Sequence, residues 1–171
     1  MPSSNIACAP AIIHLAWEAH PQSVLDIGPG RGKYGLLLRE YLGMNLRVDA
    51  CEVEASYRTP LLSAIYHKVY PVDARILSDE TLELYDLVLM ADVIEHIPKA
   101  DALALLDRIP GIVVICTPRD YFEQHIPGVP SEDHVSHWTV QDFADTGRLD
   151  RHDVGVLDGL GAIIVRLGPK P

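Results

Sequence analysis

Residues 24–35 read VLDIGPGRGKYG, and this stretch decides the fold. A short apolar run ends in an acid, turns through alternating glycines and enters a pattern of helical spacing. Glycine tolerates a positive φ and lets the backbone approach a ligand that a Cβ would meet. The N-terminus of the helix adds unpaired N–H groups and a partial positive charge. We therefore predict a strand, a tight turn and a helix that together hold a nucleotide-like ligand.

Length and composition indicate one globular domain. The chain has 171 residues, which suffice for a buried core, and 48% of them are hydrophobic while 22% are charged. We expect a single domain over 1–171, with an N-terminal helix at about 9–20 and no large inserted lid. The net charge is −10, and the lysines and arginines are scattered. This charge argues against a nucleic-acid partner, whose phosphates require several basic contacts, and favours a small-molecule or peptide acceptor.

The cysteines indicate a reducing compartment. Cys8, Cys51 and Cys116 are odd in number and show no C-x-x-C spacing. We interpret them as free, mostly buried thiols of a cytoplasmic protein. The N-terminus has no signal-peptide pattern, and no run reaches the roughly 18 apolar residues of a membrane span.

Apolar runs alternate with helical patterns along the chain, which is typical of a parallel α/β sheet. Helices are predicted at about 10–19, 33–42, 60–66 and from 98 onward. Strands are predicted at 23–27, 46–52, 68–72, 87–91, 111–116, 153–157 and 162–167. The last two strands flank Asp158-Gly159, a hairpin turn pair. The predicted fold is a Rossmann-like, doubly wound, seven-stranded, mostly parallel sheet with a C-terminal antiparallel hairpin.

One helix start is well marked after a long loop at 117–138. Thr139 and Asp142 have the spacing of a capping box. Trp138 and Phe143 can form the hydrophobic staple beside it. Gly147 marks the end of the helix predicted here.

Acidic residues follow several predicted strands, at the sheet edge where open α/β folds bind ligands. Glu52 ends the second strand, and a carboxylate there can accept hydrogen bonds from both hydroxyls of a ribose. Glu54 is the other nearby acid that could take this role. Asp73 ends the third strand and Asp92 the fourth.

Two motifs resemble those of one enzyme family. The spacing D-x-G-x-G-x-G from Asp26 to Gly32, and D-V-I-E-H from Asp92 to His96, are similar to motif I and the D-V-x-E-H element of the small-molecule class I S-adenosylmethionine (SAM)-dependent methyltransferases. The dinucleotide fingerprint G-x-G-x-x-G would instead need glycine at Lys33. The resemblance implies the class I methyltransferase fold, SAM as cofactor and S-adenosylhomocysteine as product.

The resemblance also implies a set of cofactor-binding residues. Asp26 would balance the methionyl ammonium or hold the loop by hydrogen bonds, and Asp73 would accept from the adenine amine. Asp92 would border the adenosine and the transferred methyl group. The full set is Asp26, Gly28, Pro29, Gly30, Gly32, Glu52, Asp73, Ala74, Asp92 and Val93.

The loop segment EDHVSHW at 132–138 resembles a histidine-containing segment that borders the acceptor pocket in the same family. His134 and His137 are therefore the candidate bases or acceptor contacts, and the alternative is a loop histidine tied to backbone. We expect His96 to pack behind Asp92 in a structural role. Asp133 with the two loop histidines is a conceivable metal site, but these neighbours have no second cluster at ligand spacing, so we predict no metal.

Two other functions fit the sequence. A SAM-binding module without catalysis fits the short chain, whose acceptor pocket a partner or a second subunit would complete. An NAD(P)-dependent oxidoreductase fits the glycine turn and Glu52, but not Lys33 or the closing hairpin. The apolar N-terminal helix can cover the cleft, line the acceptor site or form a homo-oligomer surface.

Overall fold

Helices and strands alternate in the computed structural model, which describes residues 5–157 and 161–170. The strands are β1 (Ser23–Ile27), β2 (Arg47–Cys51), β3 (Val69–Tyr70), β4 (Leu87–Ala91), β5 (Ile112–Pro118), β6 (Leu149–Leu157) and β7 (Ala162–Leu167). The helices are α1 (Ala9–Glu18), α2 (Lys33–Leu42), α3 (Pro60–Ile65), α4 (Asp79–Leu82), α5 (Lys99–Arg108) and α6 (Val140–Ala144).

The strands form one sheet in the order β3-β2-β1-β4-β5-β7-β6. Strands β1 to β5 run parallel, whereas β7 pairs antiparallel with β5 and β6 pairs antiparallel with β7. The prediction of a mostly parallel α/β sheet with an antiparallel pair is confirmed. The predicted turn Asp158-Gly159 lies outside the described residues.

The central strands are buried on both faces, as their continuous apolar sequences predict. Leu25 and Ile27 of β1 pack in one core with Leu105 of α5. Val24 points to the other face and packs with Leu38 of α2. Because successive side chains of a strand point to opposite faces, one five-residue strand supports both cores.

Several local predictions are confirmed. The bounds of β1, α2, β4 and β7 agree with the sequence pattern. The capping box at α6 is present, with Thr139 N donating to Asp142 Oδ2 at 2.7 Å and Asp142 N donating to Thr139 Oγ1 at 3.3 Å. Trp138 stacks on Phe143 with ring centroids 5.2 Å apart. All three cysteines are free and buried.

The structure differs from the sequence pattern where elements are short. Strand β3 is only Val69–Tyr70, because it pairs with β2 through two residues. Helix α4 was not predicted, although Ser78 caps it by accepting from Thr81 N at 3.3 Å. Strand β6 begins at Leu149, four residues before the predicted start at 153.

Helix α1 packs on the sheet. Ile12, Ile13 and Ala16 are buried in the core shared with α2, whereas Trp17 on the same helix is 51% exposed. Within the described parts of the chain, none of the helices has the length and apolar character that crossing a membrane requires.

The sheet order determines where a ligand can bind. Strand β1 lies between β2 and β4, so the chain leaves β1 toward one edge and later returns to its other side. Crevices at such a switch point, beyond the carboxyl ends of the strands, are the ligand sites of open α/β sheets.

Candidate functional site

A cavity of about 630 Å³ lies at the carboxyl ends of β1 to β5. Its size falls within the roughly 300–1,000 Å³ of small-molecule sites. Most residues of the predicted cofactor set line it: Gly28, Pro29, Gly30, Glu52, Asp73, Ala74, Asp92 and Val93.

The glycine turn after β1 is packed tightly against neighbouring turns. Gly28 and Gly30 have positive φ values of 67° and 54°. A Cβ on Gly28 would lie 2.5 Å from Cγ2 of Val93, and Gly28 N donates to the Cys51 carbonyl oxygen at 2.9 Å. The turn thus places bare backbone against the cavity, held by the last residue of β2 on one side and by the turn after β4 on the other.

Asp26 and Gly32 support this turn from outside the cavity wall. Asp26 is buried, and its Oδ2 accepts from the Tyr66 hydroxyl at 2.5 Å. Burial raises the pKa of Asp26 to about 7, against the lowering effect of the Tyr66 hydrogen bond. A Cβ on Gly32 would lie 2.6 Å from Cδ1 of Ile65 on α3. The Asp26 side chain is thus hydrogen-bonded to Tyr66 and is not among the residues that line the cavity.

Glu52 is the buried carboxylate at the end of β2. Only 4% of it is exposed, and its Oε1 accepts from Glu54 N at 2.8 Å. Burial raises the pKa of Glu52, while the backbone N–H groups of Glu54 and Gly30 oppose the increase. Glu54 instead caps a 3₁₀ turn by accepting from Ser56 N at 3.0 Å. Both carboxylates line the cavity, and Glu52 is the buried one.

Asp73 is held in place by a strong local ion pair. Its Oδ2 lies 2.6 Å from Nη2 of Arg75, and its Oδ1 accepts from Arg75 N at 2.9 Å. Hydrogen bonds from Arg75 lower the pKa of Asp73. The carboxylate is thus ionised and fixed in the cavity wall beside Ala74.

Asp92 and Lys33 form a charged part of the wall, of which only Asp92 was predicted from the sequence. Asp92 adopts φ 55°, which is uncommon outside glycine, and its N–H donates to the Cys116 carbonyl oxygen at 2.8 Å. Burial raises the pKa of Asp92, and the Lys33 ammonium opposes the increase. Lys33 lines the cavity at the first residue of α2. The position of Lys33 directly after the glycines is the sequence signal that could have identified it as a residue of the cavity wall.

Three side chains meet beyond Asp92: Glu95, His96 and His134. The ring centroids of the two histidines are 5.0 Å apart. His96 lines the cavity together with Asp92, and the structural role expected for it stays a prediction. Burial, followed by the neighbouring charge of Asp92, raises the pKa of Glu95 to about 8. Burial lowers the pKa of His134, which keeps its ring neutral and a lone pair available near neutral pH.

The other residues of the loop segment point elsewhere. His137 lies outside the cavity wall, and its Nε2 donates to the Arg119 carbonyl oxygen at 2.8 Å. Asp133 pairs with His125, with 2.9 Å between Oδ2 and Nδ1. The structure therefore separates the trio Asp133, His134 and His137 and brings His134 to residues from a different turn.

The cavity wall is rich in acids. The basic side chains of the wall are Lys33 and Arg75, with the histidines His96 and His134. The six acids of the wall are Glu52, Glu54, Asp73, Asp92, Glu95 and Glu132. Such a wall favours cationic ligands because it creates a negative field in a partly enclosed space.

The fold is shared with several solved structures, O-methyltransferases among them. The PH0226 protein from Pyrococcus horikoshii superposes with a TM-score of 0.67 at 16% identity, over 95% of this chain and 88% of that one. An O-methyltransferase family protein from Burkholderia thailandensis gives 0.64 at 13% identity, over 96% and 57%. NcsB1, an O-methyltransferase of neocarzinostatin biosynthesis solved with SAM and a hydroxynaphthoic acid, gives 0.60 at 15% identity, over 90% and 50%.

The chain spans about half the length of these two O-methyltransferases. No protein-family model and no curated protein matches its sequence. At these identities the comparisons show the fold, which agrees with the resemblance in the sequence motifs.

Proposed function

We propose that this protein is a SAM-dependent methyltransferase that acts on a small-molecule or peptide acceptor. The observation that carries the proposal is the order of groups along one sheet edge. Asp73, Glu52, the glycine turn and Asp92 follow β3, β2, β1 and β4, which are neighbours in the sheet in that same order. A buried carboxylate and bare backbone thus lie side by side in an acidic cavity.

The residues of the wall fit the chemical groups of SAM. Glu52 offers a buried carboxylate for the ribose hydroxyls, and Asp73 with Ala74 lies one strand further along for the adenine. Gly28, which no side chain can replace without meeting Val93, leaves backbone for the methionyl end. The acids of the wall complement the sulfonium and the ammonium of the cofactor. In this proposal Asp26 and Gly32 hold the turn and do not touch the cofactor.

When bound, SAM supplies a methyl group on a positively charged sulfur, which an acceptor heteroatom takes in an in-line displacement. The protein's own part is to orient the two reactants, exclude water and manage the acceptor's proton. We place His134 at the acceptor because its neutral ring lines the cavity and has a lone pair. His137 has the supporting role of tying the loop to Arg119.

Calorimetric titration with SAM, S-adenosylhomocysteine and NAD tests the proposal. We expect micromolar binding of both sulfur compounds and none of NAD. Glu52→Gln should weaken SAM binding, whereas Glu40→Gln, on the exposed face of α2, should not. Binding of NAD alone would support the oxidoreductase alternative and refute the proposal. Equal SAM affinity in both variants would refute the assignment of Glu52.

Turnover is the second readout. Acceptors are incubated with SAM, and S-adenosylhomocysteine is measured. SAM binding without product for any acceptor class would support the non-catalytic binding module instead.

A further inference from the structure

Glu95, His96 and His134 gather at one point of the cavity wall although they come from two separate segments. Glu95 and His96 lie in the 3₁₀ turn after β4, and His134 lies in the loop after β5. One carboxylate oxygen or ring nitrogen from each residue lies within 4.8 Å of those of the other two. Glu95 is buried and the two histidines are partly buried.

The hydrogen bonds of the two imidazoles determine which nitrogen carries the proton. Because a carbonyl oxygen only accepts, Nδ1 of His96 must donate to the Asp133 oxygen 3.1 Å away. For the same reason Nδ1 of His134 must donate to the Phe122 oxygen 3.1 Å away. In the neutral rings the lone pair is therefore on Nε2. Histidines that bind metals are commonly oriented by such a bond from the second nitrogen.

We propose that Glu95, His96 and His134 bind one divalent transition-metal ion through the carboxylate and the two Nε2 atoms. Two imidazoles and one carboxylate suit ions such as Mn²⁺, Fe²⁺, Co²⁺ or Zn²⁺ and leave coordination positions open. Metal–ligand bonds of about 2.0–2.2 Å in a tetrahedral shell place the ligand atoms roughly 3.3–3.6 Å apart. Ligand atoms at the 4.8 Å limit therefore have to close by roughly 1.2–1.5 Å around the ion.

The surroundings of the three residues support this assignment. Oε2 of Glu95 accepts from Thr117 Oγ1 at 3.0 Å, which orients the carboxylate. Asp92 and Glu132 lie in the same wall and add negative charge. The histidines have their own partners, the carbonyl oxygens of Asp133 and Phe122. Each of the three proposed ligands therefore has a hydrogen-bond partner, as metal ligands in proteins usually have.

The metal site itself does not depend on the proposed function. The role that we give the ion in catalysis does rest on that function. An open position on the ion can take the hydroxyl of an acceptor and lower its pKa, so that the proton leaves to water. The oxygen then bonds to the methyl carbon while the carbon–sulfur bond breaks and sulfur keeps the electron pair. The site thus favours acceptors that carry a hydroxyl group, and His134 acts through the ion rather than alone as a base.

Titration with Co²⁺ alone tests the site through the visible absorption of the ion and the heat of binding. Glu95→Gln and His134→Gln remove ligands, and His96→Gln is the second choice if the buried Glu95 variant does not fold. His137→Gln is the matched control because Nε2 of His137 must donate to the Arg119 oxygen and so carries its proton. Thermal melting without metal establishes that each variant is folded.

We expect the ligand variants to bind Co²⁺ at least about tenfold more weakly, since changes even in outer-shell partners typically cost 10- to 100-fold. The His137 variant should bind like the wild type. A wild type that binds no Co²⁺, or equal affinity in all variants, would overturn the metal site. SAM titration of the same samples separates the two proposals: SAM binding without Co²⁺ binding refutes only the metal site, and Co²⁺ binding without SAM binding refutes only the proposed function.

Discussion

The Tyr66 hydroxyl donates to Oδ2 of Asp26 at 2.5 Å and accepts from Gly35 N at 3.1 Å. It therefore joins the acid before the glycine turn to the first turn of α2. Both side chains are buried, so water does not replace either bond. Through this one hydroxyl, the residue after α3 holds the strand and the helix that flank the candidate cofactor turn.

Tyr66→Phe should destabilise the fold. The change leaves the buried Asp26 carboxyl without its hydroxyl donor, and an unsatisfied buried polar group costs about 1–3 kcal/mol. Urea unfolding measures the loss. Tyr41→Phe, on a side chain that is 63% exposed in α2, is the control and should leave the free energy of unfolding unchanged. Equal stability of the two variants would contradict the role given to Tyr66.

Asp26 should make stability fall as the pH rises. Its pKa is about 7 in the folded protein and about 3.9 in an unfolded chain. The folded state thus binds more protons between these values, and the free energy of unfolding decreases through that window and is flat above it. The Tyr66 hydroxyl and Lys33 moderate the shift, and the charge of Glu52 increases it.

The test of this pH dependence is Asp26→Asn, which removes the titration and keeps an acceptor oxygen for Tyr66. The decrease in stability between pH 5 and pH 8 should be smaller in the variant than in the wild type, by on the order of 2 kcal/mol. Other buried acids, such as Glu95, titrate in both proteins, so the difference isolates Asp26. If the free energy of unfolding falls by the same amount between pH 5 and pH 8 in both proteins, the folded pKa of Asp26 is not raised.

Local patterns predicted the elements of this fold where sequence neighbours determine them. The strand at 23–27 and the helix at 33–42 follow from an apolar run and alternating glycines, and the capping box at Thr139 follows from its spacing. The partner of Asp26 was not predicted because Tyr66 is distant in sequence and no periodic pattern points to it. The meeting of His96 with His134 likewise depends on the path of the loop at 117–138, which has no repeating pattern.

Gly28→Ala should impair SAM binding. The new Cβ would meet Cγ2 of Val93 at 2.5 Å in a residue with φ 67°, so the turn and Val93 must move apart in the cavity wall. Gly128→Ala is the matched control, because Gly128 also has a positive φ of 81° but offers its new methyl group open space, with no atom beyond its chain neighbours within 4 Å. Titration of both with SAM should show weaker affinity only for the Gly28 variant. Equal weakening in both would mean that general backbone strain, and not the turn, affects binding.

His134→Ala should lower the rate of methyl transfer more than His137→Ala does. His134 lines the cavity with a neutral ring, whereas Nε2 of His137 is bound to the Arg119 carbonyl oxygen outside it. Because neither histidine is in the proposed cofactor set, SAM affinity should be similar in both variants. Initial rates with a responsive acceptor, and SAM titration of the same preparations, measure the two effects separately. If His137→Ala is the slower enzyme, the acceptor contacts the loop on the Arg119 side, and the placement of His134 at the acceptor is wrong.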